Sequence, residues 1–438
     1  MPTTPAPGPT RRQLLRLGGV AAAGTGLAAC AGPGSTAAPD ESAAPAGGAS
    51  GGAAAGGDLS FYHWRAEDQE VFEELIASFV AANPGTTVTQ TIDPSDQYQS
   101  TAAQRARDGE VGDVLPTFRG AQFEQFVDNG IYTDITTQPY VGLFVPELIE
   151  SGARDGVQYG VPYQLVFNQP LINVDALEAA GVSDIPKDWP AYLEMLEALR
   201  GAGYEPIAFP GADIGNAGQY ISTMSMNNAP SDDMFVRVEA GELKATDDWW
   251  LKTLQQFQEM SAYFQPNSLG TQIDPAIALF AQGQAAMLAS GSYHVGAARQ
   301  AGATFPMDLA PPITSEPGEL TYEGVFNATF VLGVNSASEQ QEAANAFLDF
   351  LAQPENAAVY ANGTSQHVTV QDVEYENEDL AALQPWVTAN TLLAPRFQFN
   401  NLDIRNAMEN SLIAVVGGAS PEEAAEQAQT IIDEQLSA

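Results

Sequence analysis

The sequence predicts an α/β fold, in a chain of 438 residues that is long enough for two domains. Two stretches and the composition carry that reading. At residues 59–92, a strand, an amphipathic helix and a β-branched-rich strand follow one another at the spacing of a βαβ unit. At residues 274–295, a short helix, a glycine turn, an apolar run and an aromatic tip follow in the same way. A content of 45% hydrophobic and 16% charged residues is that of a soluble globular protein.

The charge excludes some partners at once. Lys and Arg number 16 against 55 Asp and Glu, a net charge of −39, and such a surface repels nucleic acid and anionic headgroups. The single cysteine, Cys30, rules out an intrachain disulfide. Three scattered histidines, His63, His294 and His367, show no metal-ligand spacing, and no nucleotide loop is present, so neither a metal nor a cofactor is expected.

Taken in order, the chain opens with Thr10-Arg11-Arg12-Gln13-Leu14-Leu15, a weakly apolar run, and Leu27-Ala28-Ala29-Cys30. The paired arginines resemble a twin-arginine export signal, and the last four residues resemble a bacterial lipoprotein box whose cysteine carries lipid. The run is too short and too rich in glycine to span a bilayer. Residues 1–30 are therefore expected to be a twin-arginine lipoprotein signal with Cys30 as its lipidation site. Residues 31–57 are Ala/Gly/Pro/Ser-rich and read as a flexible linker with a reach of roughly 30 Å.

Residues 59–64 are the first expected strand. Glu67 and Asp68 suit the start of a helix with an apolar face of Val71, Phe72, Leu75, Ile76, Phe79 and Val80, and Asn83-Pro84-Gly85 stops it. Residues 86–92 alternate as a second strand. Gly112-Asp113-Val114 opens another strand, with Thr117-Phe118-Arg119-Gly120 at its carboxyl end. Asp184 to Pro190 leads into a helix carrying Leu193, Leu196 and Leu199, followed by a strand at Ile207-Ala208-Phe209. Residues 249–264 form a helix with Trp250, Leu254 and Phe257 inward. In the 274–295 stretch, Pro275 suits a first helical turn, Gly283 a positive φ, and residues 285–289 a buried strand. Ser290-Gly291-Ser292 allows close backbone approach before an exposed Tyr293. Helices at 342–351 and toward residue 436 close the chain.

The 274–295 stretch resembles the "F-x-x-G-x-A-A-M-x-x-x-G-S/P-W/Y" segment of bacterial extracellular solute-binding proteins of the carbohydrate type. Gly112-Asp113-Val114, Tyr159-Gly160-Val161-Pro162-Tyr163, Met307 to Pro312 and the helix before Pro354 resemble further segments in the same order, from about residue 59 to the C-terminus. The resemblance implies a two-lobe periplasmic-binding-protein-like (type II) fold, with hinge crossings and a cleft between lobes. Crossings are expected at 164–173, within 274–295 and at 323–329. The N-terminal lobe is expected to hold residues 58–165 and 290–325, the C-terminal lobe 166–289 and 326–438.

A sugar needs flat apolar surfaces for its C–H faces and hydrogen-bond partners for its hydroxyls. The expected strand ends supply His63, Trp64, Arg119, Tyr163, Tyr220, Tyr293 and Phe326 beside Asp113, Gln164, Asn168, Ser292 and Asn327, with Arg396 and Phe397 as late contributors. Trp64 and Tyr293 are the expected stacking platforms, and Arg119 and Asp113 the expected holders of hydroxyls. The resemblance implies a monomer bound to the outer face of the cytoplasmic membrane through Cys30. It would bind a mono- or oligosaccharide and deliver it by hinge closure to the permease subunits of an ABC importer. The same fold could take a peptide, polyamine or osmolyte instead. An exported glycosidase is the rival from another class, though no nucleophile elbow or catalytic Ser/His/Asp order is legible.

Overall fold

The computed structural model describes residues 56–109 and 112–437. The export signal, the lipidation site Cys30 and the linker lie outside the described residues, apart from Gly56 and Gly57. Two sheets organise the described chain.

The first sheet grows from the βαβ unit. Strand Gly57–His63 pairs in parallel, residue for residue, with Thr86–Ile92. Between them, helix Gln69–Ala82 lays Phe72, Leu75 and Phe79 on the sheet, where Phe72 meets Phe61 edge to face at 5.0 Å. The Asn83 Nδ2 donates to the Phe79 carbonyl at 2.9 Å, and Gly85 at φ 93° turns the chain into the second strand. Strand Val114–Thr117 joins the other edge of Gly57–His63 in parallel. The sheet then continues through Gly324–Val334, antiparallel to Val114–Thr117, and Val161–Val166, antiparallel to Gly324–Val334. His367–Val368 closes that edge, and Thr391–Leu393 pairs with the start of Gly324–Val334. Within this long strand Phe330 holds φ 53°, a left-handed backbone that a phenylalanine rarely adopts; its ring packs edge-on against Trp64 at 4.9 Å.

The second sheet runs Met307–Leu309, Leu171–Asn173, Ala285–Leu288, Glu205–Ala208. Helix Ile273–Ala281 ends at Gly283, φ 66°, and the chain turns into Ala285–Leu288 as the sequence suggested. Helix Trp189–Gly201 is capped by the Asp188 carboxylate, which accepts from the Ala191 N–H at 2.9 Å, with Pro190 in its first turn. Trp250, Phe257 and Met260 of helix Asp248–Ser261 are buried with Leu412 of Leu402–Val416 and Ile432 of Pro421–Ser437 in the core beside this sheet.

Strand pairing divides the chain differently from the expected lobes. Met307–Leu309, expected in the N-terminal lobe, pairs antiparallel with Leu171–Asn173 in the second sheet. Residues 326–334 of the strand Gly324–Val334, and His367–Val368, expected in the C-terminal lobe, belong to the first sheet. The chain passes between the two sheets at 167–170 and at 310–323, so the 274–295 stretch stays with the second sheet instead of crossing. The reason is packing: Gly324–Val334, mostly apolar and buried on both faces, suits a central strand.

Asp113 is also displaced from its expected role. It precedes its strand, so it lies at the amino end of the parallel strands, away from the Thr117 end. Its carboxylate accepts from the Ser60 N–H at 2.7 Å, the Ser60 hydroxyl at 2.8 Å and the Ser338 hydroxyl at 2.5 Å. Asp113→Ala should leave these donors unmatched and lower stability by about 1–3 kcal/mol in urea unfolding.

Candidate functional site

Ligand sites in α/β sheets lie beyond the carboxyl ends of the strands. At that end of Gly57–His63 stands Trp64, half-buried, its indole stacked on Phe118 with centroids 3.9 Å apart and planes 19° from parallel. Phe118, Arg119 and Gly120 leave the carboxyl end of Val114–Thr117 together. Gly120 holds φ 82°, and a Cβ there would come within 2.6 Å of the Phe397 carbonyl oxygen. Phe397 belongs to the second core, so the two lobes touch at this point.

Arg119 donates from Nη1 to Asn327 Oδ1 at 3.3 Å. Asn327 is fully buried on the long strand, and its Nδ2 has no hydrogen-bond partner among the described residues. Asn168, in the crossing at 167–170, donates from Nδ2 to Gln219 Oε1 at 3.1 Å, while its buried Oδ1 has no partner among the described residues. From the second lobe comes Tyr293, half-buried rather than exposed, with burial pushing its hydroxyl up to about 12. Its backbone carbonyl accepts from Arg65 Nη1 and Nη2 at 3.5 Å across the lobes. Trp64, Arg119, Asn168, Tyr293 and Asn327 thus gather where the two lobes face each other. Together they offer aromatic faces, a cation, and amide donors and acceptors.

Other expected residues fall elsewhere. Tyr163 is core, its hydroxyl donating to the Leu351 carbonyl at 2.9 Å. Gln164 is buried and donates to the Tyr360 hydroxyl and, at 3.5 Å, to Asp68. Ser292 accepts from the Phe167 N–H at 2.9 Å and so fastens the 167–170 crossing. Tyr220 packs in the second core against Phe209 and Phe257, its hydroxyl without a partner among the described residues. Arg396 is buried in an ion pair with Glu409, Nε to Oε1 at 2.5 Å. Phe326, one residue from Asn327 and so on the opposite face of the strand, lines a separate cavity of about 540 Å³ with Phe167, His367 and Trp386.

Sequence reasoning missed Arg65, Phe118 and Gln219. Arg65 had a readable signal in Glu67 and Asp68 two and three residues on, and both form ion pairs with it, at 3.0 and 2.8 Å. Phe118 sat beside the predicted Arg119, but nothing local marks its ring as the floor under Trp64. Among the described residues no cluster of His, Cys, Asp or Glu is placed to hold a metal ion.

Comparison with known proteins agrees with this architecture. Residues 65–358 match the family described as bacterial extracellular solute-binding protein. The putative ABC transporter periplasmic-binding protein YcjN of Escherichia coli (strain K12) is 24% identical over 310 residues, 68% of this chain and 70% of that protein. Among solved structures, SBP RafE in complex with raffinose is 17% identical and superposes with a TM-score of 0.73 over 87% of this chain and 100% of that one. A chitin oligosaccharide binding protein is 19% identical, with a TM-score of 0.75 over 87% and 100%.

His63, expected at the site, is buried beneath the first helix. Its Nε2 pairs with Gln90 Oε1 at 2.7 Å, its Nδ1 accepts from the Arg65 N–H at 3.1 Å, and its ring packs on Phe61 and Phe72. Burial lowers its pKa to about 4, and does the same to His367. Both are neutral when folded, while the unfolded chain takes up their protons below about pH 6.5. Stability should therefore fall as pH drops from about 6.5 toward 4, by up to about 1.4 kcal/mol per pH unit from each. Urea titrations across that window check this, and His63→Gln should make the slope shallower.

Proposed function

The chain belongs to the bacterial extracellular solute-binding proteins, and from that premise we propose that it captures a mono- or oligosaccharide between its lobes for an ABC importer. The observation that carries the reading is the Trp64–Phe118 stack standing beside Arg119, Asn327 and Asn168. A pyranose presents a flat C–H face to an aromatic ring and a rim of hydroxyls to amides and guanidinium, and this arrangement offers both. The resemblance to the raffinose-bound RafE and to a chitin oligosaccharide binding protein supports the same substrate class.

In this reading the ligand favours the closed arrangement because it contacts both lobes at once. Trp64 and Arg119 reach it from the first lobe, Tyr293 from the second, and the crossings at 167–170 and 310–323 supply the hinge. The closed form then docks on the permease subunits. The protein acts as a monomer that binds and releases, without turning its ligand over. A lipid on Cys30 would hold it to the outer face of the membrane, with residues 31–57 as the tether. No helix among the described residues is long and apolar enough to cross a membrane. A cationic solute such as a polyamine fits less well, because Arg119 already places positive charge at the site.

A thermal-shift screen of the full chain against sugars, amino acids, peptides and polyamines tests the proposal. A cognate saccharide at 100 times its dissociation constant should stabilise the protein by about 2.7 kcal/mol. Trp64→Ala and Tyr293→Ala should each weaken that saccharide on the order of tenfold or more. Shifts confined to peptides or polyamines, or affinities untouched by both substitutions, would refute it.

A further inference from the structure

The three arginines around the site are not equivalent. Arg65 is held by Asp68 and Glu67, and Arg396 by Glu409. Arg119 has no carboxylate partner among the described residues, in a chain where acids outnumber bases 55 to 16. Its one hydrogen bond among them is long, 3.3 Å, and goes to a neutral amide. Burial with nothing to offset it pulls the guanidinium down to about 10.

The neighbouring amide adds to this imbalance. Arg119 donates to Asn327 Oδ1, so the amide is oriented with Nδ2 turned away, and that buried NH₂ has no partner among the described residues. The local inventory is thus rich in donors: the remaining guanidinium N–H groups and the Asn327 amide N–H groups. A hydroxyl offers them two lone pairs but adds a donor of its own and no charge. An ionised carboxylate brings only acceptors, two oxygens with about four lone-pair directions, and opposite charge. Asn168 Oδ1 adds a buried acceptor in the adjoining crossing, suited to a hydroxyl.

We propose that the site is specific for an acidic saccharide, with Arg119 and Asn327 receiving the carboxylate of a uronic acid unit and Trp64 stacking on its ring. This rests on the saccharide reading above and narrows it. Arg119 is then the residue that sets specificity, while the aromatic stack serves acidic and neutral sugars alike.

Calorimetric titration of the full chain tests this, using dimers of glucuronate, galacturonate and mannuronate beside the matching neutral dimers of glucose, galactose and mannose. One acidic dimer should bind on the order of 100-fold more tightly than its neutral counterpart, the range expected for charge-assisted hydrogen bonds. Arg119→Gln should abolish that preference, weakening the acidic dimer far more than the neutral one. Arg119→Lys should keep part of the preference, and Trp64→Ala should weaken both members of the pair. If Arg119→Gln does not fold, the salt response of the unaltered chain decides: raising salt from 50 to 500 mM should weaken only the acidic dimer. Neutral dimers binding as well as acidic ones, or Arg119→Gln reducing both equally, would overturn the acidic-sugar inference and spare the saccharide reading. A sulfated galactose preferred to every uronate would overturn the carboxylate assignment. Silence toward every saccharide would overturn both readings.

Discussion

The structure depends on one buried cation. Arg65 lies two residues beyond the first strand, almost wholly buried, where desolvation alone would disfavour its charge; Asp68 and Glu67 outweigh that and hold it firmly protonated. Asp68 also accepts from the Tyr360 hydroxyl at 2.5 Å, and Tyr360 in turn accepts from Gln164. One guanidinium therefore ties together the end of the first strand, the start of the first helix, the strand before the first crossing and the helix Pro354–Thr364. Its far side reaches the Tyr293 carbonyl on the second lobe. Removing one member of such a network strands a charge in the interior, a loss of about 3–5 kcal/mol, which makes its members poor places for variation. Trp64 owes its position to this anchor, being the residue between the paired strand and the fixed guanidinium.

The contrast between arginines explains how the site can be both rigid and unfinished. Arg65 and Arg396 are satisfied internally and act as struts. Arg119 is held by its backbone, leaving the strand between Phe118 and the tight Gly120, more than by any side-chain partner. A site built this way keeps its shape without spending its binding groups on itself. The cavity lined by Phe167, Phe326 and Trp386 borders the 167–170 crossing.

Much of this was legible in local pattern. The first βαβ unit follows from a helical period bounded by Asn83-Pro84-Gly85 and an alternating strand, and Gly283 marked its own turn. What sequence could not supply was which face of a strand a side chain occupies. Trp64, Tyr163 and His63 are all aromatic residues near strand ends, yet Tyr163 and His63 are buried in the core while Trp64 stays half-exposed on Phe118. Asp113 failed by position: one residue before a strand puts it at the opposite end of the sheet from Arg119, just after. Arg396 looked available because its carboxylate, Glu409, comes from the next helix and carries no short-range signature. The lobe boundaries failed for a related reason. The apolar run of Gly324–Val334 announces burial, but not between which partners, and nothing in a phenylalanine codon announces the left-handed turn of Phe330.

That long strand has a consequence for biosynthesis. It sits between Val114–Thr117 and Val161–Val166, but the ribosome makes it roughly 160 residues after the second of these. At about 5–20 residues per second, the nascent first lobe waits on the order of 10–30 s with its two halves unjoined and two strand edges uncovered. During that interval the second sheet's strands are being threaded out in the middle. The first lobe therefore stays open while much of the second is made, and a chaperone that shields open strand edges would have its longest engagement with this protein just before the 324–334 segment appears.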